Sequence, residues 1–218
     1  MKNATCHLTI ILAITICMAS GQTDRYYVGV EGGPSLISMR GNEIIDISHS
    51  ATSGFSAGFS FQYNLNKHLS FRSGVSLEKK GSAFNYDGQN RDGSWHHVRS
   101  SHNFHYLTVP LLMRASIDRK IKLFINGGPF IGILTGKTVA VKKNDLHRKE
   151  YQGKASYKTF DLGVTAGLGL LVPCNNNVLI SFEVRNNYGL SNIYKFEPLR
   201  TNSLNFLIGV VLPFGRNT

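Results

Sequence analysis

Four histidines, His96, His97, His102 and His105, fall within ten positions beside Trp95. Imidazole nitrogens hold zinc and other transition metals, so these are the residues through which the chain would take up an ion. Their spacing matches no standard zinc pattern, and loop histidines usually serve as polar surface; no resident metal is expected. A second group is cationic: Lys137, Lys142, Lys143, Arg148, Lys149 and Lys154 stand against Asp145 and Glu150. Such a segment suits the phosphates of lipopolysaccharide or another anionic lipid. Catalytic chemistry has less footing. Ser, His and Asp occur in the same stretches, but no Gly-x-Ser-x-Gly or other nucleophile signature accompanies them. Gly127-Gly128 and Gly167-x-Gly169 precede no helix and are not phosphate loops. Neither a catalytic residue nor a cofactor is expected, and the chain is read as no enzyme.

The elements that hold these groups follow from composition and pattern. Charged residues are 17% of the chain, below the usual quarter, while Gly (22), Phe (13) and Tyr (9) are abundant. That balance favours an all-β fold. The net charge of +11 forms no basic stripe or helix, which points away from nucleic acid and toward anionic lipid headgroups or a solvated loop surface. At the start, Lys2 precedes the apolar run Leu8 to Met18, followed by the small residues Ala19, Ser20 and Gly21. This reads as a signal peptide, residues 1–21, cleaved before Gln22, leaving 22–218 as a single exported domain. Cys6 and Cys17 leave with it, so Cys174 has no internal disulfide partner.

Beyond the signal, apolar and polar residues alternate with period two, the mark of strands with two different faces. Phe55, Ala57, Phe59, Phe61, Tyr63 and Leu65 oppose Ser56, Gly58, Ser60, Gln62 and Asn64. Similar segments surround Leu69–Leu77, Leu107–Ala115, Ile121–Ile133, Leu162–Val172, Val178–Val184 and Leu204–Phe214, with a weaker one at Tyr26–Val30. They reach the length a tilted strand needs to cross a bilayer. The connections alternate in length. Short turns sit at Asn66-Lys67-His68, Asp118-Arg119-Lys120 and Cys174–Asn177; long loops are expected at about 37–53, 82–103, 136–157 and 189–202. Short turns on one side and long loops on the other predict an eight-stranded antiparallel up-and-down transmembrane β-barrel with its long loops outermost.

Two features place the polar face inside. It is rich in Gly, which suits a narrow lumen better than an exposed surface. It also carries balanced charge: Glu31, Glu78, Asp161 and Glu183 against Arg72, Arg114, Lys122 and Arg185. Such a set is expected to pair in the lumen, since unpaired buried charge is expensive. A lumen so filled leaves no wide pore. The aromatics Tyr26, Phe55, Tyr63, Phe71, Phe104, Tyr106, Phe206 and Phe214 near strand ends read as interface girdles. Pro110, inside a strand, fits no simple ladder.

Several stretches resemble a known group. They are Gly74-Val75-Ser76-Leu77-Glu78-Lys79-Lys80-Gly81, Tyr106-Leu107-Thr108-Val109-Pro110-Leu111-Leu112, Asn126-Gly127-Gly128-Pro129-Phe130-Ile131-Gly132, Asp161-Leu162-Gly163 with Gly167-Leu168-Gly169, and Tyr188-Gly189-Leu190-Ser191-Asn192-Ile193. In order and spacing they are similar to the outer-membrane β-barrel domain family that includes PorT-like, small OmpX-like barrels of Gram-negative bacteria. The resemblance implies location in the cell outer membrane and a place for Pro110 in a family strand. The functional expectation is a non-enzymatic barrel serving envelope structure or surface interaction through four outer loops, touching lipid, lipopolysaccharide or a protein partner. The alternatives are a PorT-like component of a secretion or surface-assembly machine, a secreted lipocalin-like ligand binder, and a small passive channel.

Overall fold

A computed structural model of the chain describes residues 25–41, 49–89, 95–117, 120–143, 146–151, 157–175, 178–196 and 198–214; for 49–50, 82–89, 95–101, 139–143, 146–151 and 175 the backbone alone is described. The expected signal peptide lies outside these residues. Ten strands form one antiparallel sheet: β1 (Tyr26–Arg40), β2 (His49–Ser50), β3 (Thr52–Asn64), β4 (Leu69–Gln89), β5 (Trp95–Ile117), β6 (Lys122–Lys143), β7 (Leu146–Tyr151), β8 (Phe160–Asn175), β9 (Val178–Gly189) and β10 (Arg200–Phe214). Eight of them close a barrel in the order β1-β3-β4-β5-β6-β8-β9-β10, with β10 returning to β1. Closure leaves the barrel wall without an unpaired edge, the condition for strands to cross lipid. The short strands β2 and β7 sit outside the ring, on β4 and β6.

Two expected loops are in large part strand. β4, β5 and β6 run 21, 23 and 22 residues, roughly twice what a tilted strand needs to span a bilayer. Their outer halves pair with one another above the barrel, from Gly81–Asn103 to Gln89–Trp95 and from Phe104–Lys137 to Val98–Lys143. The physical reason is solvent. Above the membrane both faces of a ladder meet water, so hydrophobic alternation is no longer imposed and the pattern that marks a strand fades.

At the opposite end the connection at 65–68 is tight. The Asn66 side-chain oxygen accepts from the backbone N–H groups of His68 and Leu69, at 2.9 and 2.8 Å, an Asx turn that fixes the β3–β4 hairpin. The other two short connections lie partly outside the described residues.

Pro34, Pro110 and Pro129 each sit where one ladder is interrupted. The β1–β10 rungs stop at Gly32–Ile208 and resume at Ser35–Asn205, leaving out Gly33 and Pro34. The β5–β6 rungs skip from Pro110–Phe130 to Met113–Gly127, leaving out Gly128 and Pro129. The β4–β5 rungs skip Val109 and Pro110, and the Ser73 hydroxyl donates to the Pro110 carbonyl at 2.9 Å. A missing N–H costs little where no rung is made. The two Gly-Gly-Pro runs mark the same device: a Cβ on Gly33 or Gly128 would lie 1.9 or 2.0 Å from a carbonyl oxygen of the next strand.

Candidate functional site

The outer wall is apolar. Phe59, Leu111 and Ile208 are 73, 40 and 59% exposed, and Val30, Leu77, Ile125 and Leu168 share that face. The lumen holds the reverse: Arg72, Glu78, Arg114, Asp161, Glu183 and Arg185 are all buried. This is the opposite of a soluble ligand-binding barrel, whose apolar side chains face inward. A continuous belt of large exposed apolar side chains is what lipid, rather than water, solvates.

Inside, the charges fall into two layers. Nearer the short turns, Glu31 binds Arg72 and Arg185, the latter at 2.8 Å. Glu183 receives the Arg114 guanidinium at 3.0 Å and Arg185 Nε, and Asn126 Nδ2 also donates to it at 3.0 Å. Arg114 further donates to Gln62 at 3.1 Å and lies 3.6 Å from the Phe124 ring centroid. Farther out, Lys80 Nζ reaches Asp161 at 2.9 Å and Glu78 at 3.7 Å. Glu78 also accepts from Thr108, Asn187, Ser203 and Asn205, and Asp161 from Thr201 and Ser191. Carboxylates supplied with this many donors meet the condition under which buried charge is tolerable.

Apolar plugs close both ends. Tyr27, Phe124, Leu171 and Val211 pack together at the turn end. Met39, Phe104, Tyr106, Leu134, Ile193 and Leu199 do so at the outer mouth, flanked by Tyr157 and Tyr194. Ile193 comes from the segment after β9, which folds over the mouth and is pinned by backbone bonds from Lys158 N to Ile193 O and from Ile193 N to Leu199 O.

Several expected positions move. Lys122 stands at the turn-end mouth beside Tyr27, Lys67, Ser116 and Leu171 rather than in the ionic layers. Its place is taken by Lys80, which is fully buried and which a further step along the even positions of β4, past Glu78, would have found. Lys137, expected to reach lipid, turns inward: it is buried, donates to the Tyr157 hydroxyl at 3.0 Å and lies 4.2 Å from that ring's centroid. The cause is a bulge between His105 and Tyr106, opposite Thr135, which reverses the facing of β6 beyond Leu134. At this level, outward of the apolar belt, burial holds the Lys137 ammonium below and the Tyr157 phenol above their usual pKa values. Phe104 and Tyr106 belong to the outer plug, not to an interface girdle; Tyr26, Phe55, Phe71, Phe206 and Phe214 do face outward.

The histidines do not converge. His105 is exposed on the outer face of β5, whereas His102 is half-buried and three residues away along an extended strand, which puts it on the opposite face. His97 and His96 lie five and six residues farther along the same strand from His102, roughly 16–20 Å, so one ion cannot gather all four. Among the described residues no cluster of three or more metal-ligating side chains exists. Of the cationic segment, Lys142 and Lys143 lie on β6 and Arg148 and Lys149 on β7, with only their backbone described; Lys154 lies outside the described residues.

The outer membrane protein beta-barrel domain family matches residues 19–195 of the sequence. The chain belongs to that family. As an outer membrane β-barrel it resides in the cell outer membrane, its belt embedded in lipid. No curated protein matches the sequence. Among solved structures, this barrel is similar to Neisserial surface protein A (12% identity, TM-score 0.47, covering 89% of this chain and 100% of that one). Ail, the attachment invasion locus protein of Yersinia pestis, is 10% identical with a TM-score of 0.40 over 86% of this chain and 99% of its own. OprG from Pseudomonas aeruginosa is 10% identical with a TM-score of 0.40 over 89% and 99%. These likenesses are too loose to bear on the barrel's role.

Proposed function

We propose that the barrel is a non-enzymatic surface protein that works at its outer end, in envelope structure or in contact with another molecule, and not through its lumen. One observation carries this reading: the interior is filled by charged side chains that bind one another, between two apolar plugs. A lumen spent on its own stability leaves the protruding β4–β7 ladder as the part available for recognition. The basic residues of that ladder, Lys142, Lys143, Arg148 and Lys149, with Lys154 beyond it, suit lipopolysaccharide phosphates.

The test is a barrel whose segments 83–101 and 139–156 are replaced by short turns, expressed in a strain lacking the protein. It is expected to fold, shown by altered gel migration on boiling, yet fail to restore surface binding or detergent resistance. Full restoration by the trimmed barrel would remove the ladder from the functional account. A second reading, a PorT-like part of a secretion or surface-assembly machine, draws on the Gly74–Gly81 and Tyr106–Leu112 motifs. Loss of secretion in a deletion strain whose envelope is otherwise intact would favour it.

A further inference from the structure

We infer that the outer rim formed by β1, β10 and the end of β9 binds one phosphorylated headgroup of an outer-leaflet lipid. The inference rests on the membrane placement and is independent of the proposed role. Arg40 and Arg200 are direct cross-strand partners at the outer end of the β1–β10 ladder, on the outward face. Like charges so placed repel unless something offsets them. Both guanidinium groups are drawn to one stretch of chain. Arg40 reaches across β10, lies 3.5 Å from the centroid of the Tyr188 ring and donates to the Gly189 carbonyl at 2.9 Å. Arg200 Nε donates to the Asn192 side-chain oxygen at 3.2 Å. Arg40 Nε is buried with no hydrogen-bond partner. The carboxylates whose side chains are described are Glu31, Glu78, Asp161 and Glu183, and all four point into the lumen. Among the described side chains, then, no acid on this face offsets the two arginines.

Position selects the anion. Leu36, Phe160 and Leu190, each about half exposed, mark the upper edge of the apolar belt, and the arginines stand just beyond it, where headgroup phosphates begin. Two guanidinium groups on paired strand positions fit a phosphate monoester, whose oxygens accept charge-assisted hydrogen bonds from the N–H groups not already engaged. The apolar wall below takes the acyl chains, which a free anion would leave unmatched.

The full-length barrel, folded in detergent, is analysed by native mass spectrometry with three probes: phosphorylated lipid A, dephosphorylated lipid A, and inorganic phosphate. Wild type is expected to retain phosphorylated lipid A. Arg40→Gln with Arg200→Gln is expected to lose retention about tenfold or more, the scale of removing charged hydrogen bonds. Arg25→Gln with Lys120→Gln, at the other rim, should leave it unchanged. Equal retention by the Arg40/Arg200 variant, or of dephosphorylated lipid by wild type, overturns the site. Displacement of the lipid by millimolar inorganic phosphate assigns the arginines to a soluble anion and overturns the lipid occupant. Should the glutamine pair fail to fold, as judged by gel migration on boiling, Arg40→Lys with Arg200→Lys replaces it. That pair keeps the charge and lacks the fork, so a several-fold loss supports the site and no loss overturns it.

Discussion

Glu183 sits among Arg72, Arg114 and Arg185, and its removal leaves the buried Arg114 without its carboxylate and Arg72 and Arg185 sharing Glu31 alone. Glu183→Ala is expected to destabilise the barrel by about 3–5 kcal/mol, the usual cost of orphaning buried charge; urea unfolding in lipid vesicles measures it. Lys80 and Asp161 give a sharper test, because each is fully buried. Lys80→Met alone should cost more than Lys80→Met combined with Asp161→Asn, and a double-mutant cycle reads the coupling directly; a coupling energy of zero would sink the pair. Most of this network was legible, since Glu31, Arg72, Glu78, Arg114, Asp161, Glu183 and Arg185 share the polar face that alternation defines. Lys80 and Lys122 were not, because both lie near the ends of the alternating segments. There the sequence shows which way a lysine faces more clearly than whether it stays within the lumen.

At the scale of elements, glycine and aromatic residues work across the β6–β8 ladder as pairs. Phe124 is the direct partner of Gly169, and Phe130 of Gly163, so each ring lies over a residue without a side chain. A Cβ on Gly163 would meet the Phe130 ring at 2.5 Å and the Tyr188 carbonyl at 2.3 Å. Gly163→Ala is therefore expected to cost about 1–3 kcal/mol, as overpacking does. Adding Phe130→Leu should not restore stability, because the carbonyl contact remains; full rescue in thermal unfolding would contradict this. The crossing portions of the strands could be read because lipid on one side and a narrow lumen on the other enforce alternation. The bulge at His105 could not, since it depends on the register between β5 and β6, which alternation within either strand does not reveal, and with it went the facing of Lys137.

For the whole molecule, two plugs and two ionic layers act in series. Planar-bilayer recording is expected to show no conductance steps, and opening the outer plug with Ile193→Ser and Leu199→Ser should leave the trace silent, because the charged layers and the Phe124 plug remain beneath. Steps in either protein would contradict a sealed interior. Ile208→Arg places a charge in the lipid-facing belt and is expected to cost about 2–4 kcal/mol in a bilayer, read by unfolding in vesicles. The eight-strand plan was legible because it repeats along the chain; the two plugs were not, since each gathers residues from several strands and, at the mouth, from the folded-over segment carrying Ile193. The long strands β4 and β5 pass unbroken from the embedded wall to the tip of the hairpin. A tug on that tip would load the β3–β4 and β5–β6 hydrogen bonds in shear, many at once, instead of unzipping them rung by rung. A grip made at the cell's outermost surface would thus be anchored mechanically in the barrel itself.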